Sequence, residues 1–149
     1  MRGRVLSIFL ATPVSILSLE VEVTNAYLHG KTRVLIDYAN MNGPYLGIVV
    51  PNLYEMNPLL QHPSYKANKF VIEFQGRKFR FGTIGNRKAI LVITGLGVIN
   101  AGITMQLVLA LFDVNTVVHY GIAMNANSSL SIGDVTIVRY WAYTGLWNW

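Results

Sequence analysis

Three short pieces of this chain carry groups suited to chemistry. They are Glu55 in PNLYEMNPLL, the glycine turn TGLG at 94–97, and the loop GIAMNANSS that begins at Gly121. A carboxylate such as Glu55, placed just after a strand, can orient or deprotonate a water. On the first turn of a helix, the same residue also complements the helix dipole. Gly95 and Gly97 bracket a step from strand to helix, where unpaired backbone amides and the positive end of the dipole favour an anion or polar hydroxyls. A tight turn needing only glycine flexibility would use the same two residues. Gly121, Ala123 and Ala126 let backbone approach a flat ligand, and Asn125 and Asn127 add hydrogen-bonding amides. Ile122 and the bulky Met124 interrupt that small-residue run.

Other chemistries lack their residues. A dinucleotide fingerprint would need a third glycine where Asn100 stands, and an acid at the end of the next strand. His29, His62 and His119 are too scattered for metal-ligand spacing and read as surface or strand-end residues. No phosphate loop or nucleophile elbow is present, and no metal or other cofactor is expected. Zero cysteines exclude a disulfide scaffold. The net charge of +5 owes much to Arg77, Lys78, Arg80, Arg87 and Lys88, which alternate with apolar residues as one solvated strand face rather than as a nucleic-acid footprint.

The elements that must position these groups are legible from periodicity. YLGIVV is a continuous apolar run, suited to a strand buried on both faces of a parallel sheet. Asn52 can cap the helix LYEMNPLLQ, which Pro58 must shorten or kink. KFVIEFQGRKFRFGTI reads as a hairpin with Gly76 and Arg77 in the turn, so that Phe74 opposes Phe79, Ile72 opposes Phe81 and Glu73 opposes Arg80. KAILVIT is a strand, and VINAGITMQLVLALF a helix so apolar that it needs cover on more than one side. NTVVHYG and GDVTIVRYW are further strands, whereas residues 31–42 have a mixed pattern closed by the loop NGP. This order places Glu55, the 95–97 turn and the 121–127 loop at one edge of one sheet, where open α/β folds keep their ligands.

With 149 residues, of which 52% are apolar and 13% charged, the chain suits one layered domain. Residues 1–26 join two arginines to an apolar run and to small residues Thr24 and Ala26, the pattern of a secretory signal peptide. That reading sends the protein to the vacuole or outside the cell; without a signal it would be cytoplasmic. The apolar run is too short, and too broken by Pro13, to span a membrane.

The motifs GPYLGIVVPNLYEMNPLL, GRKFRFG, TGLGVINAGIT, VVHYGIAMNANSSLSIGDVTI and WAYTGLWNW together resemble the nucleoside phosphorylase and nucleosidase superfamily, and within it the plant bark storage and wound-inducible proteins. The resemblance covers residues 43–149. It implies a three-layer α/β/α sandwich with a mixed sheet, and cleavage of the N-glycosidic bond of an adenosine-type nucleoside by water or by phosphate as co-substrate. Glu55 would hold the water, Gly95 and Gly97 would lie beside the nucleophile, and Gly121, Ile122, Ala123 and Met124 would run along base and ribose. Gly133 and Asp134 would form a structural turn. The family also implies homo-oligomers, and a continuation beyond Trp149 that supplies ribose-binding and leaving-group-protonating residues. Residues 43–149 are then expected to be the N-terminal part of the domain, with catalysis weakened, a storage or wound-response role without turnover in its place, or no activity as a truncated fragment.

Overall fold

The computed structural model describes residues 30–124 and 126–140. In chain order the elements are α1 (Lys31–Met41), β1 (Tyr45–Val50), α2 (Leu53–Gln61), β2 (Tyr65–Phe74), β3 (Arg77–Ile84), β4 (Arg87–Ile93), α3 (Val98–Leu111) and β5 (Val114–His119). The five strands form a single mixed sheet in the order β2-β3-β4-β1-β5. β1 runs parallel to both β4 and β5, while β2, β3 and β4 form an antiparallel meander. Every residue of β1 is buried, as its unbroken apolar run predicts for a central strand.

Side chains alternate across the sheet into two cores. On one face, Tyr45, Val49, Ile72, Phe79, Phe81, Ile90 and Val92 pack with Ile36 and Ala39 of α1 and with Val108 and Leu111 of α3. On the other, Leu46, Ile48, Val50, Ala89 and Leu91 enclose Met56 of α2. Helices on both faces make the three-layer α/β/α sandwich. The first core is aromatic: Phe79 and Phe81 meet Phe112 edge to face, with centroids 4.9 and 5.6 Å apart.

Residues 31–41, whose pattern is mixed, form a helix that contributes Ile36 and Ala39 to the core. Its anchor is Asn40, whose amide donates to Leu111 O and whose oxygen accepts from Asp113 N, both at 2.8 Å. Pro58 is accommodated within α2, which spans nine residues.

The hairpin differs from its predicted register by two residues. Gln75 and Gly76 occupy the turn with φ of 50° and 71°, so Phe74 opposes Arg77, Glu73 opposes Lys78 and Ile72 opposes Phe79. A shift of two leaves every side chain on its expected face, so alternation cannot choose between the registers. In the observed one, two positive φ values match the twist of a tight hairpin, and Lys78 reaches Glu73 at 2.8 Å.

Two further expectations fail. Residues 134–140 form no strand: Val135, Ile137, Val138 and Tyr140 are exposed, and no ladder partner sits beside them among the described residues. Extended backbone becomes a strand only when another edge accepts its hydrogen bonds. Helix α3 buries Thr104, Val108 and Leu111 along one side, leaving Val98, Ile99, Ile103 and Leu109 exposed. It is thus covered on one side only among the described residues. Residues 1–29, which hold the signal-peptide pattern and His29, lie outside the described residues, as do Asn125 and the WAYTGLWNW motif at 141–149.

Candidate active site

The parallel register sets Val50 beside Ile93 and Val49 beside His119, so the three parallel strands finish together. The ladder continues one step past β4, with Thr94 N donating to Val50 O at 2.9 Å. The segments leaving β1, β4 and β5 are therefore gathered at one sheet edge. Those segments carry Glu55, the 95–97 turn and the loop from Gly121 respectively.

Glu55 is the third residue of α2, and its position begins with the cap. Asn52 has extended backbone, and its Oδ1 accepts from Glu55 N at 3.0 Å. The same side chain donates through Nδ2 to Glu55 Oε1 at 2.6 Å. The other carboxylate oxygen, Oε2, accepts from Ile122 N at 2.9 Å. One carboxylate thus joins the loop after β1 to the loop after β5. Each oxygen retains lone-pair capacity for a water or a substrate hydroxyl.

Tyr120 adds a second tie, its hydroxyl donating to Glu55 O at 3.2 Å. Burial, and secondarily the nearby charge of Glu55, raise the Tyr120 phenol above its ordinary pKa, so it stays a protonated donor at neutral pH. Gly121 leaves room for the carboxylate in its present position: a Cβ there would stand 2.5 Å from Glu55 Oε2 and 3.3 Å from Pro51 Cγ.

Gly95 and Gly97 have φ of 81° and 89°, and Gly97 is the N-cap of α3 without a side-chain cap. Two buried threonines secure this turn: Thr94 Oγ1 donates to Gly95 O at 2.7 Å, and Thr104 Oγ1 to Thr94 O at 3.4 Å. Leu96, Ile122 and Met124 are exposed, Met124 at 98%. Asn127 bends its own loop by accepting from Ser129 N and Oγ at 3.0 and 2.8 Å. The Gly133 turn is closed by Asp134, which accepts from Ser131 N at 2.8 Å.

Sequence reasoning missed three residues here. Asn52 was legible as a cap but not as a carboxylate partner, because the i,i+3 spacing does not say whether Glu55 reaches the backbone or the side-chain amide of the cap residue. Tyr120 read merely as the end of a strand. Arg77 read as part of a solvated face, yet the β3–β4 register, continued to its end, sets it level with Thr94. Its Nη2 donates to Asn100 Oδ1 at 2.8 Å, on the first turn of α3. Lys78, Arg80 and Arg87 share one strand face as expected, whereas Lys88 lies on the opposite face, where its Nζ donates to Asn42 O at 2.7 Å. His62 and His119 are exposed. No group of three potential metal ligands occurs among the described residues, and no helix among them is long and apolar enough to cross a membrane.

A family model described as the phosphorylase superfamily matches residues 45–146. The chain belongs to the phosphorylase superfamily. It is 32% identical to bark storage protein A of Populus deltoides over 79 residues, which are 52% of this chain and 25% of that protein. It is 36% identical to a 5'-methylthioadenosine/S-adenosylhomocysteine nucleosidase of Halalkalibacterium halodurans over 66 residues, 42% of this chain and 29% of that protein. Among solved structures, futalosine hydrolase of Helicobacter pylori superposes with a TM-score of 0.52 at 25% identity, covering 60% of this chain and 38% of the other. A Helicobacter pylori nucleosidase mutant with 5'-methylthioadenosine in its active site gives 0.50 at 25% identity, covering 62% and 39%. The chain therefore spans about a quarter to two fifths of the length of these phosphorylase-superfamily relatives.

Proposed function

We propose that this phosphorylase-superfamily chain carries the nucleophile side of a site that cleaves the N-glycosidic bond of an adenosine-type nucleoside. The observation that carries the reading is the double anchoring of Glu55, whose two oxygens accept from Asn52 Nδ2 and Ile122 N at 2.6 and 2.9 Å. A fixed carboxylate with lone pairs to spare can hold a water by one O–H and turn its oxygen toward the anomeric carbon. As the C–O bond forms, the C–N bond breaks and the base departs with the electron pair, while Glu55 accepts the proton that the water loses and the departing base takes up a proton from solvent. The negative charge of Glu55 favours neutral water over phosphate as nucleophile. The 95–97 turn lies beside the nucleophile in this reading, and residues 121–124 run along base and ribose.

The test is adenine release from adenosine and 5'-methylthioadenosine. It uses this chain alone and joined to the C-terminal remainder of the Halalkalibacterium halodurans nucleosidase. Release is expected to be independent of added phosphate and to fall ~10²- to 10⁴-fold in Glu55→Gln, the usual contribution of general acid-base catalysis. Absence of both adenine release and calorimetric nucleoside binding in both forms would sink the reading.

The similarity to bark storage proteins, at 32% identity, favours a second one: a storage protein that keeps the fold without turnover. It predicts accumulation in a vacuole or outside the cell, with no nucleoside bound.

A further inference from the structure

We infer that Asn52 is the positioning residue of Glu55: it sets the direction of the carboxylate, beyond capping the helix. The inference rests on the proposed role of Glu55 as the group that orients the nucleophile. Asn52 and Glu55 have the spacing of a capping box, in which the glutamate reaches back to the backbone N–H of the N-cap residue. Glu55 accepts instead from the side-chain amide of Asn52, at 2.6 Å, while the Asn52 oxygen takes Glu55 N at 3.0 Å. A single planar amide therefore grips Glu55 at both its backbone and its carboxylate.

The consequence reaches the neighbouring loop. With Oε1 fixed by Asn52, Oε2 is presented to Ile122 N at 2.9 Å, in the narrow approach that Gly121 leaves open. Asparagine is the N-cap residue able to do this. Aspartate and serine cap about as well, but ionised aspartate has no proton to donate, and a serine hydroxyl ends one atom short of the amide nitrogen. A purely local cap would tolerate either substitution, whereas a positioning residue tolerates neither.

The experiment compares amide hydrogen exchange at Ile122 and at Val92 of β4, by NMR, in the full chain and in Asn52→Ser, Asn52→Asp and Glu55→Ala. Loss of one charge-assisted hydrogen bond is expected to accelerate exchange at Ile122 about tenfold in both Asn52 variants, approaching Glu55→Ala, with Val92 unchanged. Wild-type protection at Ile122 in Asn52→Ser, with acceleration only in Glu55→Ala, overturns the inference. So does equal acceleration at Ile122 and Val92 in both Asn52 variants, because Asn52 would then hold the fold rather than the carboxylate. No nucleoside takes part, so this result is separate from the fate of the N-glycosidic reading. In an active form carrying the nucleosidase remainder, Asn52→Ser lowers kcat with KM unchanged.

Discussion

The backbone amide of Ile122 donates to Oε2 of Glu55 at 2.9 Å, across 67 positions of chain. That bond ties the edge strand β5 to the first turn of α2, and its geometry depends on the hydrogen-only side chain of Gly121. In Gly121→Ala the new methyl would stand 2.5 Å from Oε2, so carboxylate or loop must move. Because Oε2 ends a flexible side chain beside an exposed loop, the main loss is the Ile122 hydrogen bond, about 1 kcal/mol. Urea unfolding should register the loss, and exchange at Ile122 should accelerate with it.

Glu55→Gln separates charge from shape. Two donors, Asn52 Nδ2 and Ile122 N, each require an acceptor, and a carboxamide supplies one oxygen beside an NH₂. One donor therefore loses its protein acceptor and turns to solvent, at a cost of about 1 kcal/mol. Thermal unfolding monitored by circular dichroism is expected to show this destabilisation whether or not the protein turns over a nucleoside.

Alkaline pH should weaken the fold. Burial raises the phenols of Tyr45, Tyr65 and Tyr120 above 10.0; at Tyr120 the charge of Glu55 adds to this, and at Tyr65 nearby Arg80 partly opposes it. A raised folded-state pKa means that the folded chain holds these protons more tightly than the unfolded one. Stability from this source is fully present below the unfolded value near 10 and is lost as pH rises through the higher folded values. Unfolding midpoints measured from pH 8 to 11.5 should fall at the alkaline end, and Tyr120→Phe should flatten part of that fall.

Met124 is 98% exposed, so Met124→Gly is expected to change stability by less than about 0.5 kcal/mol. If residues 121–124 serve a nucleobase, removing the large side chain strengthens adenosine binding, measured by calorimetry on the form carrying the nucleosidase remainder. Unchanged affinity would count against a base site at this loop.

Arg77 links the hairpin to α3 through Asn100. Arg77→Ala leaves the Asn100 oxygen to solvent and should cost about 1 kcal/mol. The discriminating measurement is local: exchange should rise in the first turn of α3 while β1 stays protected.

The legible part of the fold can be traced element by element. Asn52 as cap, β1 as a strand buried on both faces, and the strand, turn and helix around Gly95 and Gly97 each follow from a few adjacent residues. The Gln75–Gly76 turn was misplaced because registers two residues apart put the same side chains on the same faces. Residues 134–140 look like a strand because β-branched alternation is local, whereas pairing needs an available edge. Residues 31–41 look mixed because α1 buries little more than Ile36 and Ala39.

By itself the sequence determined the α/β class, the central strands and the three segments that meet at one sheet edge, since periodicity, caps and turn residues act over a few neighbours. Only the tertiary structure decided what those segments do to one another. It placed Ile122 on the second oxygen of Glu55, Tyr120 behind it and Arg77 against Asn100. Such contacts depend on strand register and helix placement, which arise from packing the whole sheet and are written in no single stretch of chain.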